Sequence, residues 1–255
     1  MDLGLRGKRA IVTGGSRGIG RAILMALIAD GAEVATCARG ADGLNRLAAD
    51  VSALGGKVHT QALDVRDAAA FEAWLSGAAG ALGGVDIVVS NVSTRVTATG
   101  EPMWRETFET DLLQHVRLAE QTVPHLLKGS QPALVFISSI AGVLTQLPPG
   151  EEAYGTMKAA LVNYAGQLSA RYGRKGLRVN TVSPGPIFFE GGVWDQIRKH
   201  QPALFESAAR LSVLERHGTA EEVARAVAFL ASPAAGYITG ANLRVDGGMV
   251  KTANF

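Results

Sequence analysis

The fold of this chain is limited above all by a glycine-rich loop that joins an apolar strand to a helix. The run Arg9-Ala-Ile-Val-Thr13 is short and almost wholly apolar, as in a strand that is buried on both faces. Gly14-Gly-Ser-Arg-Gly18-Ile-Gly20 follows it, and a helical pattern then covers 21–30. Glycines at such a junction permit a tight turn, and the free N–H groups of the helix N-terminus favour phosphate. The loop therefore predicts a phosphate-binding unit, with a glycine-rich turn that binds no ligand as the alternative.

Strand and helix patterns continue to alternate along the rest of the chain. Further strands are predicted at 33–38, 58–63, 85–90, 133–138, 177–182 and 241–245. Helices are predicted at 44–54, 68–82, 104–128, from about 154 onward, and at 219–231. This alternation predicts a parallel sheet with helices on both faces and right-handed crossovers. Because no linker or shift of composition interrupts it, we expect a single domain over residues 1–255.

The composition is typical of a globular protein and excludes several functional classes. The chain has 255 residues, of which 47% are hydrophobic and 19% charged, and its formal charge is +2. Because the basic residues are scattered, we expect no nucleic-acid partner. No apolar run has signal-peptide or transmembrane length, so we expect a cytoplasmic protein without a membrane partner. The single cysteine, Cys37, excludes an internal disulfide, and the five histidines lack metal-ligand spacing, so no metal site is predicted.

Two potential proton-transfer groups lie one helical turn apart at Tyr154 and Lys158. An ammonium group beside a phenol stabilises the phenolate, which would allow the tyrosine to exchange a proton near neutral pH. Taken alone, the pair is weak evidence for a catalytic site. A half-buried tyrosine beside a solvated lysine is the alternative. Ser138 and Ser139 end the strand that precedes this helix, at the edge of the sheet where ligands bind in such folds.

The spacing Gly14-x-x-x-Gly18-x-Gly20, together with Tyr154-x-x-x-Lys158, resembles the short-chain dehydrogenase/reductase family. The resemblance runs from Leu5 to Met249 and is closest to the branch of 3-oxoacyl-carrier-protein reductases. It implies a Rossmann-type, doubly wound sheet of about seven strands. It also implies that Ser139 holds the substrate oxygen, that Tyr154 is the general acid or base, and that Lys158 binds the nicotinamide ribose. The fourth catalytic position of the family, an asparagine, is Asp111 here, and a carboxylate there would alter the charge balance around the lysine.

The end of the second strand favours NADP(H) over NAD(H) as the cofactor. An NAD enzyme usually carries an acid there to bind the ribose 2′-hydroxyl, whereas this chain has Ala38 followed by Arg39. An arginine suits a 2′-phosphate, and Arg17 could reach the same group. A solvated surface charge is the alternative for either arginine.

The resemblance assigns the remaining cofactor contacts to several loops beyond the strands. The predicted contacts are Gly14, Ser16, Arg17, Gly18, Ile19, Gly20, Arg39, Asp64, Val65, Asn91, Tyr154, Lys158, Pro184, Gly185 and Ile187. For Asp64 a turn or helix-capping role is an equal alternative. Val92-Ser93 replaces the usual Ala-Gly, and Phe189 stands where relatives often have threonine.

Residues 188–215 are predicted to form a lid segment over the substrate, with Gly191-Gly192 as its hinge. Its apolar side chains could line a pocket, with ordinary core as the alternative; they are Phe188, Phe189, Trp194, Phe205 and Leu211, joined by Val96 and Trp104. Arg95, Arg198 and Lys199 could meet an acidic substrate, although a solvated face is the favoured interpretation.

Together these features predict an oxidoreductase that transfers hydride between NADP(H) and a small carbonyl or secondary alcohol. The apolar side chains of the lid segment favour an apolar substrate. The resemblance implies a homotetramer, or a homodimer. The alternative function is a non-catalytic nicotinamide-nucleotide-binding sensor or assembly subunit, which the departures at Asp111, Val92-Ser93 and Phe189 would favour.

Overall fold

The computed structural model describes residues 2–94 and 96–252, so Arg95 lies outside the described residues. Its main sheet is parallel and seven-stranded, with the order β3-β2-β1-β4-β5-β6-β9. The strands of this sheet are β1 (Arg9–Thr13), β2 (Glu33–Ala38), β3 (Val58–Ala62), β4 (Ile87–Ser90), β5 (Ala133–Ile137), β6 (Arg178–Pro184) and β9 (Asn242–Val245). Two short strands, β7 (Ile187–Phe188) and β8 (Gly218–Thr219), pair separately beside the lid segment.

Helices connect the strands and cover both faces of the sheet. They are α1 (Gly18–Ala29), α2 (Ala41–Ala53), α3 (Ala68–Ala81), α4 (Gly100–Phe108), α5 (Gln114–Leu126), α6 (Glu152–Tyr172), α7 (Val193–His200), α8 (Pro202–Leu211) and α9 (Ala220–Ala231). Among residues 2–94 and 96–252, no helix has both the length and the apolar character needed to cross a membrane.

Alternating side chains of the central strands pack into two separate hydrophobic cores, one on each face of the sheet. In β5, Val135 and Ile137 pack into the core under α1, α2 and α9. Leu134 and Phe136 point the other way, into the core under α3, α5 and α6. This division follows from the two-residue repeat of a strand and explains why the central strands are almost continuously apolar. The predicted doubly wound α/β fold with a single domain is confirmed.

The order of the strands reverses between β1 and β4, which opens a crevice beyond their carboxyl ends. Next to this crevice, Cys37 of β2 is fully buried, and burial raises the pKa of its thiol to about 12. At the opposite end of the same strands, Asp86 binds Arg9 with two hydrogen bonds to the guanidinium, each of 2.8 Å.

The predicted helix 104–128 differs from the observed one. It begins earlier, at Gly100, and a π-helical turn at Glu109–Leu113 separates α4 from α5. A π turn inserts an extra residue into the helix and is common at functional sites. Thr219 caps α9, because its side chain accepts the Glu222 N–H in a capping box.

Candidate functional site

The glycine loop leaves no room for side chains and leads into a helix start that no described side chain caps. Gly14 and Gly18 have φ values of 75° and 55°, which glycine adopts without strain. A Cβ on Gly20 would lie 2.3 Å from the Gly14 carbonyl oxygen. Arg17 precedes α1, and no side chain caps the first N–H groups of the helix. These uncapped N–H groups suit a phosphate, as the sequence predicts.

Asn91 joins the ends of β1 and β4 immediately beneath this loop. Its side-chain Nδ2 donates to the Thr13 carbonyl oxygen at 3.0 Å, and its backbone N–H donates to Thr13 Oγ1 at 3.0 Å. The amide also lies under Gly14 and Gly20, where added Cβ atoms would come within 3.0 Å and 2.5 Å of Nδ2. The predicted contact residue therefore shapes the glycine loop.

The two serines at the end of β5 have different partners. Ser138 is buried, and its hydroxyl donates to the Lys158 carbonyl oxygen at 2.9 Å. Ser139 is half-buried, and its hydroxyl oxygen accepts the Ala141 N–H at 3.1 Å. Because that bond uses only the oxygen, the Ser139 hydroxyl hydrogen stays available to a substrate oxygen.

The turn after Ser139 packs closely against α6, the helix that carries Tyr154 and Lys158. A Cβ on Gly155 would lie 2.9 Å from the Ala141 carbonyl oxygen, and one on Gly142 would lie 2.7 Å from the Ala159 nitrogen. Glycine at these positions lets the turn and helix approach, and so brings Ser139 to the same end of the sheet as Tyr154.

Lys158 is buried beside Tyr154 and has two acceptors for its ammonium group. Only 1% of its side chain is exposed, and Nζ lies 5.5 Å from the centroid of the half-buried Tyr154 ring. Nζ donates to the Ile137 carbonyl oxygen at 3.3 Å and lies 3.1 Å from Asp111 Oδ1. The solvated-lysine alternative is thus wrong, since the ammonium is enclosed and paired.

Asp111 lies in the π-helical turn, and its side chain is fully buried. The Thr110 hydroxyl donates to its Oδ2 at 2.9 Å, and the Ser93 hydroxyl donates to its Oδ1 in a short hydrogen bond. The expectation that this carboxylate changes the charge near Lys158 therefore has a direct geometric basis. The contribution of Ser93 is not apparent in the sequence, because 18 residues separate it from Asp111.

His115 is a further buried polar residue that the sequence pattern does not reveal. Its Nδ1 lies 2.6 Å from Ser90 Oγ, and its ring meets Phe136 edge-on. Burial, with a smaller contribution from the charge of Lys158, holds the pKa of His115 well below its usual value. The imidazole is consequently neutral. It packs against the ends of β4 and β5 as an uncharged ring.

The two arginines predicted to bind the 2′-phosphate differ in their surroundings. Arg39 is exposed after β2, whereas Arg17 donates to the Gly191 carbonyl oxygen of the lid segment at 3.1 Å. Two guanidinium N–H groups of Arg66 donate to the Asp64 carboxylate, which lowers the pKa of the carboxyl group. Val65 is buried, and it is Asp67, not Asp64, that caps α3.

The segment after β6 covers the glycine loop with an aromatic ring. The Gly185 N–H donates to the Val245 carbonyl oxygen at 3.0 Å. Pro184, the last residue of β6, and Ile187 of β7 are both buried. A Cβ on Gly18 would lie 2.6 Å from the Phe189 ring, so the ring lies directly against the start of α1. Phe189 therefore takes the place where the resemblance implies a threonine contact.

The aromatic residues of the lid segment pack mainly on one another. Phe188 meets Phe205 edge-on at 5.9 Å between ring centroids, and His217 stacks on Phe205 at 3.9 Å. Trp194 lies 4.9 Å from the same imidazole, while Leu211 is 53% exposed. Three of the predicted pocket residues, Phe188, Trp194 and Phe205, thus form a local aromatic cluster with His217, whereas Leu211 is exposed.

Two of the three cations considered for an acidic substrate have an internal partner. Arg198 and Lys199 contact the carboxylate of Asp195 at 2.9 Å and 2.7 Å. Arg95 lies outside the described residues. Neither of the two described cations is therefore free to serve as a dedicated anion site.

Comparisons with known proteins identify several chains that are similar to this one. A family model described as Enoyl-(Acyl carrier protein) reductase matches residues 14–250. Isoepoxydon dehydrogenase patN of Penicillium expansum is 34% identical over 98% of this chain and 97% of its own length. The 3-oxoacyl-[acyl-carrier-protein] reductase FabG of Escherichia coli is 34% identical over 97% of this chain and 99% of its own length.

Solved structures extend the likeness to the fold. L-sorbose reductase from Gluconobacter frateurii, crystallised with NADPH and L-sorbose, has a TM-score of 0.89 and 30% identity, with 99% and 100% of the two chains covered. A short-chain dehydrogenase/reductase from Serratia marcescens has a TM-score of 0.86 and 31% identity, with 96% and 98% covered. The chain belongs to the short-chain dehydrogenase/reductase family and is similar to its 3-oxoacyl-carrier-protein reductases.

Proposed function

We propose that this protein is an NADP(H)-dependent oxidoreductase that interconverts a carbonyl compound and a secondary alcohol. The observation that carries the proposal is the enclosure of Lys158 beside Tyr154. The helix that carries both residues packs against the turn that follows Ser139. Family membership supports the reaction class, while the site residues support the mechanism.

The residues present fit a nicotinamide dinucleotide. The uncapped start of α1 and the crowded Gly18 and Gly20 suit a pyrophosphate held by backbone N–H groups. Lys158 has three N–H donors, and the described residues accept two of them. The third can bind a ribose hydroxyl, which would hold the cofactor against Tyr154.

In the mechanism that we propose, each polar side chain has one task. The cofactor, when bound, supplies or accepts the hydride. The Ser139 hydroxyl donates a hydrogen bond to the substrate oxygen, and Tyr154 gives that oxygen a proton during reduction or removes one during oxidation. Lys158 stabilises the phenolate that remains after proton donation. Asp111 keeps the ammonium group in place.

Preference for NADP(H) is the finer part of the proposal. Ala38 offers no carboxylate to a ribose 2′-hydroxyl, and the exposed Arg39 offers a cation to a 2′-phosphate. The NADPH complex of the L-sorbose reductase supports the same choice. For the substrate we propose a small apolar compound under the lid segment, and for the molecule a cytoplasmic homotetramer.

Turnover of a panel of ketones, followed by loss of NADPH absorbance, tests the function. We expect Tyr154→Phe to lower kcat by at least about a hundredfold while NADPH still binds, because only the proton donor is removed. Tyr172→Phe, at the far end of the same helix, is the matched control and should retain activity. NADPH binding without turnover on the whole panel would instead favour a nucleotide sensor.

A further inference from the structure

We infer that Ser93 is a positioning residue for Asp111 and, through it, for Lys158; this inference rests on the proposed function. The Ser93 hydroxyl donates to Asp111 Oδ1, the same carboxylate oxygen that lies 3.1 Å from Lys158 Nζ. Ser93 follows β4, whereas Asp111 lies in the π-helical turn, so this contact ties the loop after a strand to the helix opposite.

The surroundings of Asp111 show why the serine is needed. The carboxylate is fully buried and accepts hydrogen bonds only, so its lone pairs need donors. Thr110 donates a hydrogen bond to Oδ2, and Ser93 and Lys158 are the two donors at Oδ1. A buried carboxylate with too few donors is costly, and a buried ion pair is stable only when its remaining hydrogen bonds are satisfied.

Two of the departures of this chain from its family pattern, Ser93 and Asp111, meet at this contact. A glycine at position 93 would have no hydroxyl to donate, and an asparagine at position 111 would bring its own N–H groups and no charge. The pair of Ser93 and Asp111 therefore forms one linked replacement. The Asp111 carboxylate needs a hydrogen-bond donor, and the Ser93 hydroxyl provides it.

The contact also affects where Lys158 lies. With Ser93 bound, Oδ1 divides its lone pairs between the hydroxyl and the ammonium, and Nζ remains 5.5 Å from the centroid of the Tyr154 ring. Without the hydroxyl, the whole attraction of Oδ1 acts on Nζ and draws it toward Asp111. The ammonium then stabilises the Tyr154 phenolate less well. This slows the proton transfer more than it weakens the binding of cofactor, because the backbone N–H groups at the start of α1 still hold the pyrophosphate.

A double-mutant cycle on the full chain tests this inference. We expect Ser93→Ala to lower kcat about tenfold and to change the KM for NADPH less than about twofold, since a hydrogen bond to a buried charge is lost. In an Asp111→Asn background the same change should cost less than about threefold, because the acceptor is then neutral. Ser93→Thr keeps the hydroxyl and should restore most of kcat. Ser76→Ala, on the exposed face of α3, is the matched control.

Urea unfolding of the same variants gives a reading that does not depend on turnover. Ser93→Ala should raise the unfolding equilibrium constant about tenfold with Asp111 present and less than about threefold with asparagine there. Equal effects in both backgrounds would overturn the inference, and so would an unchanged kcat in Ser93→Ala. A wild-type protein without turnover that still shows the coupling in urea would overturn the proposed function and, with it, the catalytic role of Ser93, but not the contact.

Discussion

At the scale of single residues, Asp86 shows how one buried carboxylate joins three neighbouring strands. Its side chain binds the Arg9 guanidinium and accepts the backbone N–H groups of Arg9 and Ser130. Burial alone would raise the pKa of Asp86, but these donors outweigh it and lower the pKa from 3.8 to about 2. The carboxylate therefore contributes stability only in its ionised form.

Asp86→Asn should lower the free energy of unfolding at neutral pH by about 2 kcal/mol. The contribution of Asp86 is complete above its ordinary pKa of 3.8 and is lost as the pH falls through about 2. Urea unfolding at a series of pH values should therefore show the two proteins converging in acid. Asp50→Asn removes a largely exposed partner of Arg21 and should cost less than about 0.5 kcal/mol. A constant difference at every pH would contradict this explanation.

Arg39 decides the cofactor preference in the proposed function. Arg39→Ala should weaken NADPH binding about tenfold or more, because a charge-assisted hydrogen bond to the 2′-phosphate is lost. NADH lacks that phosphate, so its dissociation constant should change less than about twofold. Fluorescence titration with both nucleotides measures this, and Arg46→Ala on the exposed face of α2 is the control. An equal loss for both nucleotides would show that Arg39 does not read the phosphate.

At the scale of elements, both backbone polar groups of Gly191 in the lid segment have side-chain partners. Arg17 donates to the Gly191 carbonyl oxygen, and Asp195 accepts the Gly191 N–H at 3.1 Å. Asp195 also lies in the first turn of α7, where a carboxylate stabilises the positive end of the helix dipole. One side chain thus fixes both the hinge glycine and the start of the helix that follows it.

Asp195→Ala should loosen the start of the lid segment without unfolding the sheet. The N–H groups of 191–200 should exchange with solvent deuterium several-fold faster, because a local contact and a helix-end charge are both lost. Hydrogen exchange resolved by peptide is the measurement, and β5 should keep its protection. Glu206→Ala, which removes an exposed partner of Arg210, serves as the control. Unchanged exchange in 191–200 would mean that Asp195 does not hold the hinge.

The strands could be predicted from sequence because burial on both faces leaves a direct chemical signature. The apolar runs of β1, β4 and β5 are local patterns, so they can be recognised without knowledge of the neighbouring strands. The glycine loop can be recognised from its composition in the same way. The π-helical turn could not be predicted, since 109–113 have an ordinary helical sequence. The contacts of Ser93 and His115 escaped prediction because they join residues far apart in the chain, where no periodic pattern applies.

At the scale of the whole molecule, several large apolar side chains are exposed on one described helix and on the sheet edge. Trp104 and Phe108 of α4 are 39% and 40% exposed, and Leu243 of β9 is 38% exposed. Tyr237, just before that strand, is fully exposed. Such side chains are typical of surfaces that are covered by another chain, which supports the proposed homotetramer.

Light scattering coupled to size exclusion should give a mass that is four times 26.6 kDa for the wild type. Phe108→Asp should produce a smaller assembly, because an uncompensated charge in an apolar interface is costly. Val193→Asp, in the lid segment and 43% exposed, should leave the mass unchanged. A monomeric wild type at micromolar concentration would contradict the tetramer.

The burial of Cys37 has a practical consequence for experiments on this protein. Its thiol is the only one in the sequence, and a pKa of about 12 leaves almost no thiolate near neutral pH. The wild-type protein should therefore resist maleimide reagents and serve as the unlabelled control. A cysteine introduced at Leu204, which is 46% exposed on α8, would carry a fluorophore at a unique place and report lid position in real time.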